Sequence, residues 1–172
     1  MIEIKRKSKK QEMKVAKDIG GKVTLASGAL YFQKADVRSD EFLIEAKTTG
    51  SSYYSLKESI WTKVEKEALK DNFRTPLMHI QLLDGAFEYV VMNINTFYAL
   101  ELDKYSYLGR NSEPTITDKK SIRLTTETLK FEVPCGLDKN EIYLPRHDIK
   151  FVNSQKHLVI LNWEDFLIIT NN

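Results

Sequence analysis

Apolar residues in this chain come in short runs separated by turn signals, and the period of the runs alternates along the chain. Glu12, Val15, Ala16 and Ile19 recur at i, i+3, i+4 and i+7, which is one face of a helix. Ser8-Lys-Lys-Gln11 before them has the form of a capping box, and Gly20-Gly21 ends the segment, so the spacing predicts a helix over 8–19. Lys22–Ala26, Leu30–Phe32, Asp36–Arg38 and Glu41–Thr48 read as short strands. Leu56, Ile60, Val64 and Ala68 form a second helical stripe, with Ser55-x-x-Glu58 as its start signal and Asn72–Pro76 as its stop. Leu77–Leu83 and Phe87–Asn93 flank Asp84-Gly85, a hairpin signal. Asn95–Leu102 reads as a helix. Gly109–Lys120 reads as a linker or exposed loop. Strand-like runs follow at Ser121–Leu124, Leu129–Val133, Glu141–Leu144 and His157–Asn162, and Trp163–Thr170 reads as a closing helix or strand. The order predicts an α/β fold: a mixed central sheet flanked by helices over 1–104, with a β-rich extension over 105–172 packed on it. Tyr89–Phe97 faintly echoes Leu158–Phe166, which suggests a strand-to-helix design used twice rather than a repeat family.

Composition excludes several classes. At 172 residues with 42% hydrophobic and 29% charged side chains, the chain can bury one core. Runs such as Leu158–Leu161 and Phe166–Ile169 are too short to span a bilayer. The basic start lacks a following apolar stretch, so no secretory signal is expected. The single cysteine, Cys135, excludes an internal disulfide and a cysteine-rich zinc site; a reducing cytoplasm suits it. No glycine-rich phosphate loop is present, so no nucleotide cofactor is expected. The net charge is only +2, but Lys5, Arg6, Lys7, Lys9, Lys10, Lys14, Lys17 and Lys22 gather at one end. A basic end on a near-neutral body fits a polyanion partner, or simply a solvated terminus.

The chemistry concentrates in one segment. In Asp36…Glu45-Ala46-Lys47, three charges fall where a strand would otherwise bury apolar groups. Residues i and i+2 share a strand face, so Glu45 and Lys47 point the same way. A hairpin turning at Ser39-Asp40 places Asp36 opposite or diagonal to Glu45. Two hard carboxylates that close can share Mg²⁺, with the Ala46 carbonyl as a third oxygen and Glu12 as a further ligand or water holder. Lys47 would offset charge on a scissile phosphate. An E-x-K pair on a strand is also a common surface ion pair. Lys63, Lys66 and Lys70 share a helix face that could follow a DNA backbone. Arg74 could contact phosphate or a carboxylate, and Gln81 could help to position a substrate. Tyr53, Tyr54 and Trp61 could stack on bases, with core packing the better role for Trp61. His79, His147 and His157 read as structural.

The segment resembles the PD-(D/E)xK nuclease superfamily, and within it the archaeal and phage Holliday-junction resolvase-like nucleases. The residues that carry the resemblance are Glu12, Ser27-Gly28-Ala29, Asp36, Glu45-x-Lys47 with Thr48-Thr49, Ser55, Lys63-Val-Glu-Lys-Glu-Ala68 and Pro76-Leu77, over about 8–83. Ala35 stands where the family has proline. The resemblance implies a restriction-endonuclease-like αβββαβ core and a metal-dependent endonuclease that resolves branched DNA. Asp36 and Glu45 would bind Mg²⁺ or Mn²⁺, Lys47 would sit at the scissile phosphate, and Glu12 and Ser27 would line the same site. Thr48 would flank it. It also implies a homodimer, in the cytoplasm of a prokaryote or a phage-infected host. The alternatives are a nuclease of the same core acting on flaps, ends or a fixed sequence, a non-catalytic DNA-binding module, or an assembly protein.

Overall fold

The computed structural model describes residues 2–24, 35–105, 114–129 and 144–171. Ser27, Cys135 and the strand expected at Leu30–Phe32 lie outside them, as do all but Leu129 of the strand expected at Leu129–Val133 and most of Glu141–Leu144. The elements are α1 (Ile2–Asp18), β1 (Lys22–Val23), β2 (Val37–Arg38), β3 (Phe42–Thr48), β4 (Tyr53–Lys57), α2 (Glu58–Lys70), β5 (Thr75–Leu82) and β6 (Phe87–Asn93). They continue with α3 (Ile94–Ala99), β7 (Thr115–Thr117), β8 (Ser121–Thr125), β9 (Arg146–Phe151), β10 (Lys156–Asn162) and α4 (Trp163–Thr170). Eight strands form one mixed sheet in the order β1-β2-β3-β5-β6-β10-β9-β7, and β4 pairs with β8 in a separate ribbon. The β3–β5 and β7–β9 pairs are parallel and the others antiparallel. This is an α/β fold with a mixed central sheet flanked by helices. The sheet runs on past residue 105, because β10 pairs with β6.

Both faces of the sheet are covered, which is why its central strands read as unbroken apolar runs rather than alternating ones. Val90–Met92 and Leu158–Leu161 are all fully buried. Their odd and even members serve different cores. Val90, Met92, Val159 and Leu161 pack with Val15, Phe97, Trp163 and Phe166, on the side of α1, α3 and α4. Val91, Leu158 and Ile160 pack with Leu56, Trp61, Val64 and Leu124, under α2 and the β4–β8 ribbon. Trp163 is tied to α1 by Nε1 donating to Asp18 Oδ2 at 2.9 Å. Among the described residues, no helix is long and apolar enough to cross a membrane.

Three helix boundaries differ from the sequence expectation, each for a physical reason. The first helix begins well before Ser8, because residues such as Lys5, Arg6 and Lys7 are themselves good helix formers; Ser8 does not cap but donates its hydroxyl to Glu12 Oε1 at 3.1 Å. The second helix begins at Glu58 rather than Ser55. Ser55–Lys57 extend as β4 because Arg123 and its neighbours, far along the chain, supply the pairing strand. The third helix is capped by Asn93, which accepts the Asn95 N–H at 2.9 Å, and it stops at Ala99. Elsewhere β1 stops at Val23, short of the expected Ala26, β7 falls inside the expected loop at Gly109–Lys120 and β9 lies where no strand is expected, whereas the end of the first helix holds. Gly20 sits at φ +62°, where a glycine is favoured, and the Gly21 N–H closes α1 on the Ala16 carbonyl at 2.7 Å.

Ile160 lies at the middle of the β6–β10 pair and is fully buried. Ile160→Ala should cost about 2–5 kcal/mol. Urea unfolding followed by tryptophan emission should show one transition at a lower midpoint, since Trp61 and Trp163 report from opposite faces of the same sheet.

Candidate active site

The site is built by the β2–β3 ribbon. The Ser39 N–H donates to the Phe42 carbonyl at 2.9 Å, and the Phe42 N–H to Ser39 Oγ at 3.0 Å, which closes the turn. Val37 then pairs with Ile44 and Arg38 with Leu43. Continuing that register sets Asp36 across from Glu45, and the Asp36 N–H donates to the Ile44 carbonyl at 3.2 Å. Val37 and Ile44 turn into the core beneath α1. Their alternate neighbours therefore emerge on the other face. The pleat, not any local preference of the acids, puts Asp36, Glu45 and Lys47 together.

Their contacts are short. Asp36 Oδ2 accepts the Ala46 N–H at 2.8 Å. Lys47 Nζ lies 2.6 Å from Glu45 Oε1. Glu45 is only 5% exposed, and its second oxygen, Oε2, is buried with no hydrogen-bond partner among the described residues. Burial, with the Glu45 carboxylate alongside, pushes the Asp36 carboxyl up to about 6 against the pull of the Ala46 N–H and Lys47. Burial opposes charge on Lys47, but Glu45 and Asp36 outweigh it and hold the ammonium above its ordinary value. The pocket is thus short of positive charge: two facing carboxylates share one ammonium, and one buried oxygen is left over.

That deficit is what a divalent cation would fill. The donor set suits Mg²⁺, which prefers hard oxygens and keeps several of its waters. The protein supplies few ligands for it. Among the described residues no group of three or more His, Cys, Asp or Glu is placed to hold a metal. Glu12 stands on α1, close enough to add to the repulsion that raises Asp36, with its carboxylate on the Ser8 hydroxyl.

Two positions matter that the sequence reading gave other roles. Gln11, expected only as a capping residue, is 2% exposed, and its Nε2 donates to the Lys47 carbonyl at 3.1 Å while lying 2.8 Å from His79 Nδ1. His79 is fully buried, and burial lowers its pKa, which favours the neutral ring. Together they pin α1 to the end of β3. Tyr54 faces Lys47 and Glu45 closely enough to interact with both charges, and burial raises its phenol. The signal for Tyr54 was its place on a strand, hidden by the start signal at Ser55.

The expected DNA contacts separate. Lys63, Lys66 and Lys70 line a groove with Arg38 and Lys120, between α2 and the β2–β3 ribbon; Glu58, Glu67 and Asp71 line it too, with Lys63 paired to Glu67 and Arg38 to Asp71. Arg74 does not join them. Its Nε donates to the Ser39 carbonyl at 2.6 Å and its Nη1 meets Asp71 at 3.1 Å, so it braces the ribbon turn against the end of α2. Thr48 and Gln81 face the α1 side, where they line a second pocket with Lys10, Gln11 and Glu88, and Gln81 Nε2 donates to Glu88 Oε1 at 2.9 Å. They are neighbours of Lys47 in sequence and register but lie on the opposite face of the sheet, because the strand period is two.

The raised Asp36 carboxyl has a definite consequence for stability. In the unfolded chain it ionises near 3.8 and in the fold near 6, so the fold binds the proton more tightly and loses stability as pH rises through that window. Melting temperature against pH should show this loss in the wild type, and Asp36→Asn should flatten it. Added Mg²⁺ at neutral pH should raise the melting point of the wild type but not of an Asp36→Asn, Glu45→Gln protein. Comparison with protein-family models and with curated proteins yields no match for the chain.

Proposed function

We propose that the chain is a metal-dependent DNA endonuclease with a restriction-endonuclease-like core, and that branched DNA, a four-way junction first, is its substrate. One observation carries the nuclease reading: Asp36 and Glu45 face each other across a ribbon with Lys47 bonded alongside and a buried carboxylate oxygen unpartnered. The preference for branched DNA rests on the sequence resemblance.

Asp36 and Glu45, with the Ala46 carbonyl, would hold Mg²⁺, with Mn²⁺ as a substitute. When bound, such an ion polarises the phosphoryl group and acidifies a coordinated water. The chain's own groups do the rest. Lys47 stays charged at neutral pH and offsets charge growing on the phosphate oxygens. Gln11 fixes the strand end that carries it. Glu12, on α1 with its carboxylate on the Ser8 hydroxyl, would serve as a further acceptor for a water. Lys63, Lys66 and Lys70 take neighbouring phosphates in the groove along α2. In the reaction a water oxygen bonds to phosphorus, one bridging P–O bond breaks, and the leaving oxygen takes a proton.

The test is a Mg²⁺-dependent cleavage panel of four-way junction, flap, linear duplex and single strand. Lys47→Ala should lose roughly 10²–10³-fold in rate while keeping DNA affinity. Equal cutting of all four substrates would defeat the junction preference and leave a nuclease of the same core. Binding without any cutting would favour a non-catalytic module, and absence of binding at low salt would defeat both. Ala at Lys63 and Lys66 together should weaken binding to every substrate alike and lower its salt dependence, as read by titration at several salt concentrations.

A further inference from the structure

The echo between Tyr89–Phe97 and Leu158–Phe166 extends much further in three dimensions than in sequence. β5, a 3₁₀ turn at Leu83–Gly85, β6 and α3 are matched in order by β9, a 3₁₀ turn at Val152–Ser154, β10 and α4. At one constant spacing Pro76 answers to Pro145, Ile80 to Ile149, Val90 to Val159 and Val91 to Ile160. Asn93 and Asn162 both cap the helix that follows, and Phe97 and Phe166 are both fully buried beneath it. Even a histidine–carboxylate pair is repeated with its members exchanged. His79 and Glu88 stand 3.4 Å apart, and Asp148 and His157, at the matching places, stand 2.8 Å apart.

The pairing registers relate the two copies by a two-fold rotation. In β6–β10, Tyr89 pairs with Asn162 and Asn93 with Leu158, while Val91 meets its own counterpart, Ile160. Exchanging the copies returns the same set of pairs. The β4–β8 ribbon behaves alike: Tyr54 pairs with Leu124 and Leu56 with Ile122, around Ser55 and its counterpart Arg123. Leu56 and Leu124 are both buried. The parallel β3–β5 pair is answered by parallel β7–β9, where Thr115 meets Ile149 as Lys47 meets Ile80. Thr115 therefore stands where Lys47 stands, with its hydroxyl 3.1 Å from His147 Nε2. The sheet ends at β7, so among the described residues the second copy has no strand to answer β2 and nothing to answer Asp36.

We infer that the chain is a fused pair with one working centre. Residues 115–129 and 144–170 are an altered copy of 47–61 and 75–101. The copy fills the place beside β6 that a partner subunit would otherwise take, in contrast to the homodimer that the resemblance implies. One chain presents a two-fold frame to DNA, and since among the described residues nothing in the second half answers the aspartate and the lysine, it breaks one strand per encounter: one water consumed, one P–O bond broken, a nick as product. The single-strand product rests on the nuclease reading; the fused pair rests on the strand registers alone.

Three measurements test it. Sedimentation of the full chain over a wide concentration range should give a 20.0 kDa particle; a particle of twice that mass overturns the inference. Native mass spectrometry of Lys47→Ala with a four-way junction should give one chain per junction, and two symmetric chains overturn it. Wild-type protein with Mg²⁺ and supercoiled plasmid carrying a cruciform should yield nicked circles in the first turnover, and linear product at that stage overturns it. If no DNA is bound or cut, the nuclease reading fails on its own, and the sedimentation result still decides whether the chain is a fused pair.

Discussion

The antiparallel pairing of β6 with β10 holds the rest of the fold in place. It joins the two halves of the chain through a run of fully buried residues, Val90–Met92 against Leu158–Leu161. Those side chains divide between the two cores above and below the sheet. Neither core is complete without both strands. At about 25 cal/mol per Å² of apolar surface removed from water, such a seam is where a chain of this size gains much of its stability. It also sets the distance of β3 from the centre of the sheet, with β5 between, and so leaves the acidic ribbon toward one flank.

The cost of the site is visible against that core. Burying carboxylates is unfavourable unless they are paired and hydrogen-bonded. Asp36 has one backbone donor and Glu45 has one ammonium, which is less than two facing carboxylates require. A pair arranged only for stability would carry a second cation or turn outward. A site kept short of positive charge is what the proposed metal-binding role requires, since a bound cation would complete it. The Asp148–His157 pair, at the opposite end of the two-fold frame, is the useful contrast. There the carboxylate has two nitrogen neighbours where Glu45 has one, Arg146 Nε 3.1 Å from Oδ1 and His157 Nε2 2.8 Å from Oδ2, although Oδ1 is likewise buried without an aligned hydrogen bond.

How much of this was legible in the sequence depended on the range of the interaction. Period-two alternation around Phe42–Lys47 and the Ser39-Asp40 turn are local, and they were enough to bring Asp36, Glu45 and Lys47 to one face. The same rule, applied to Thr48 and Gln81, would have sent them to the other face; adjacency in sequence was mistaken for adjacency in space. Ser55 imitated a helix cap because its true partner, Arg123, lies far along the chain. Gln11 likewise matched a capping box, and only the packing of α1 on β5 makes it the link between His79 and Lys47. The duplication was faint in sequence because buried positions tolerate exchange among Val, Ile, Leu and Met. What survives of it is the backbone register and a few constrained residues such as Asn93 and Asn162.

Charge tells a similar story about range. The basic residues of the first twenty-two positions look like a polyanion footprint when counted along the sequence. In the fold two of them are already engaged: Lys7 with Asp84 and Glu3, and Lys14 with Asp18 and Glu88. Exposed pairs of this kind contribute little to stability, but they lower the field that α1 projects. Lys63, Lys66 and Lys70 share a groove with Arg38 and Lys120 along the ribbon that carries Asp36 and Glu45; there too cations are paired, Lys63 with Glu67 and Arg38 with Asp71, and on the proposed reading a phosphate backbone would lie in this groove because it borders the site. Lys120 belongs to the second copy and the others to the first half, so this groove is itself made by the joining of the two. On the nuclease reading, a duplicated half without the lysine of the site would still serve such a contact, since holding a phosphate needs only a cation at the right place, whereas breaking one needs the whole constellation.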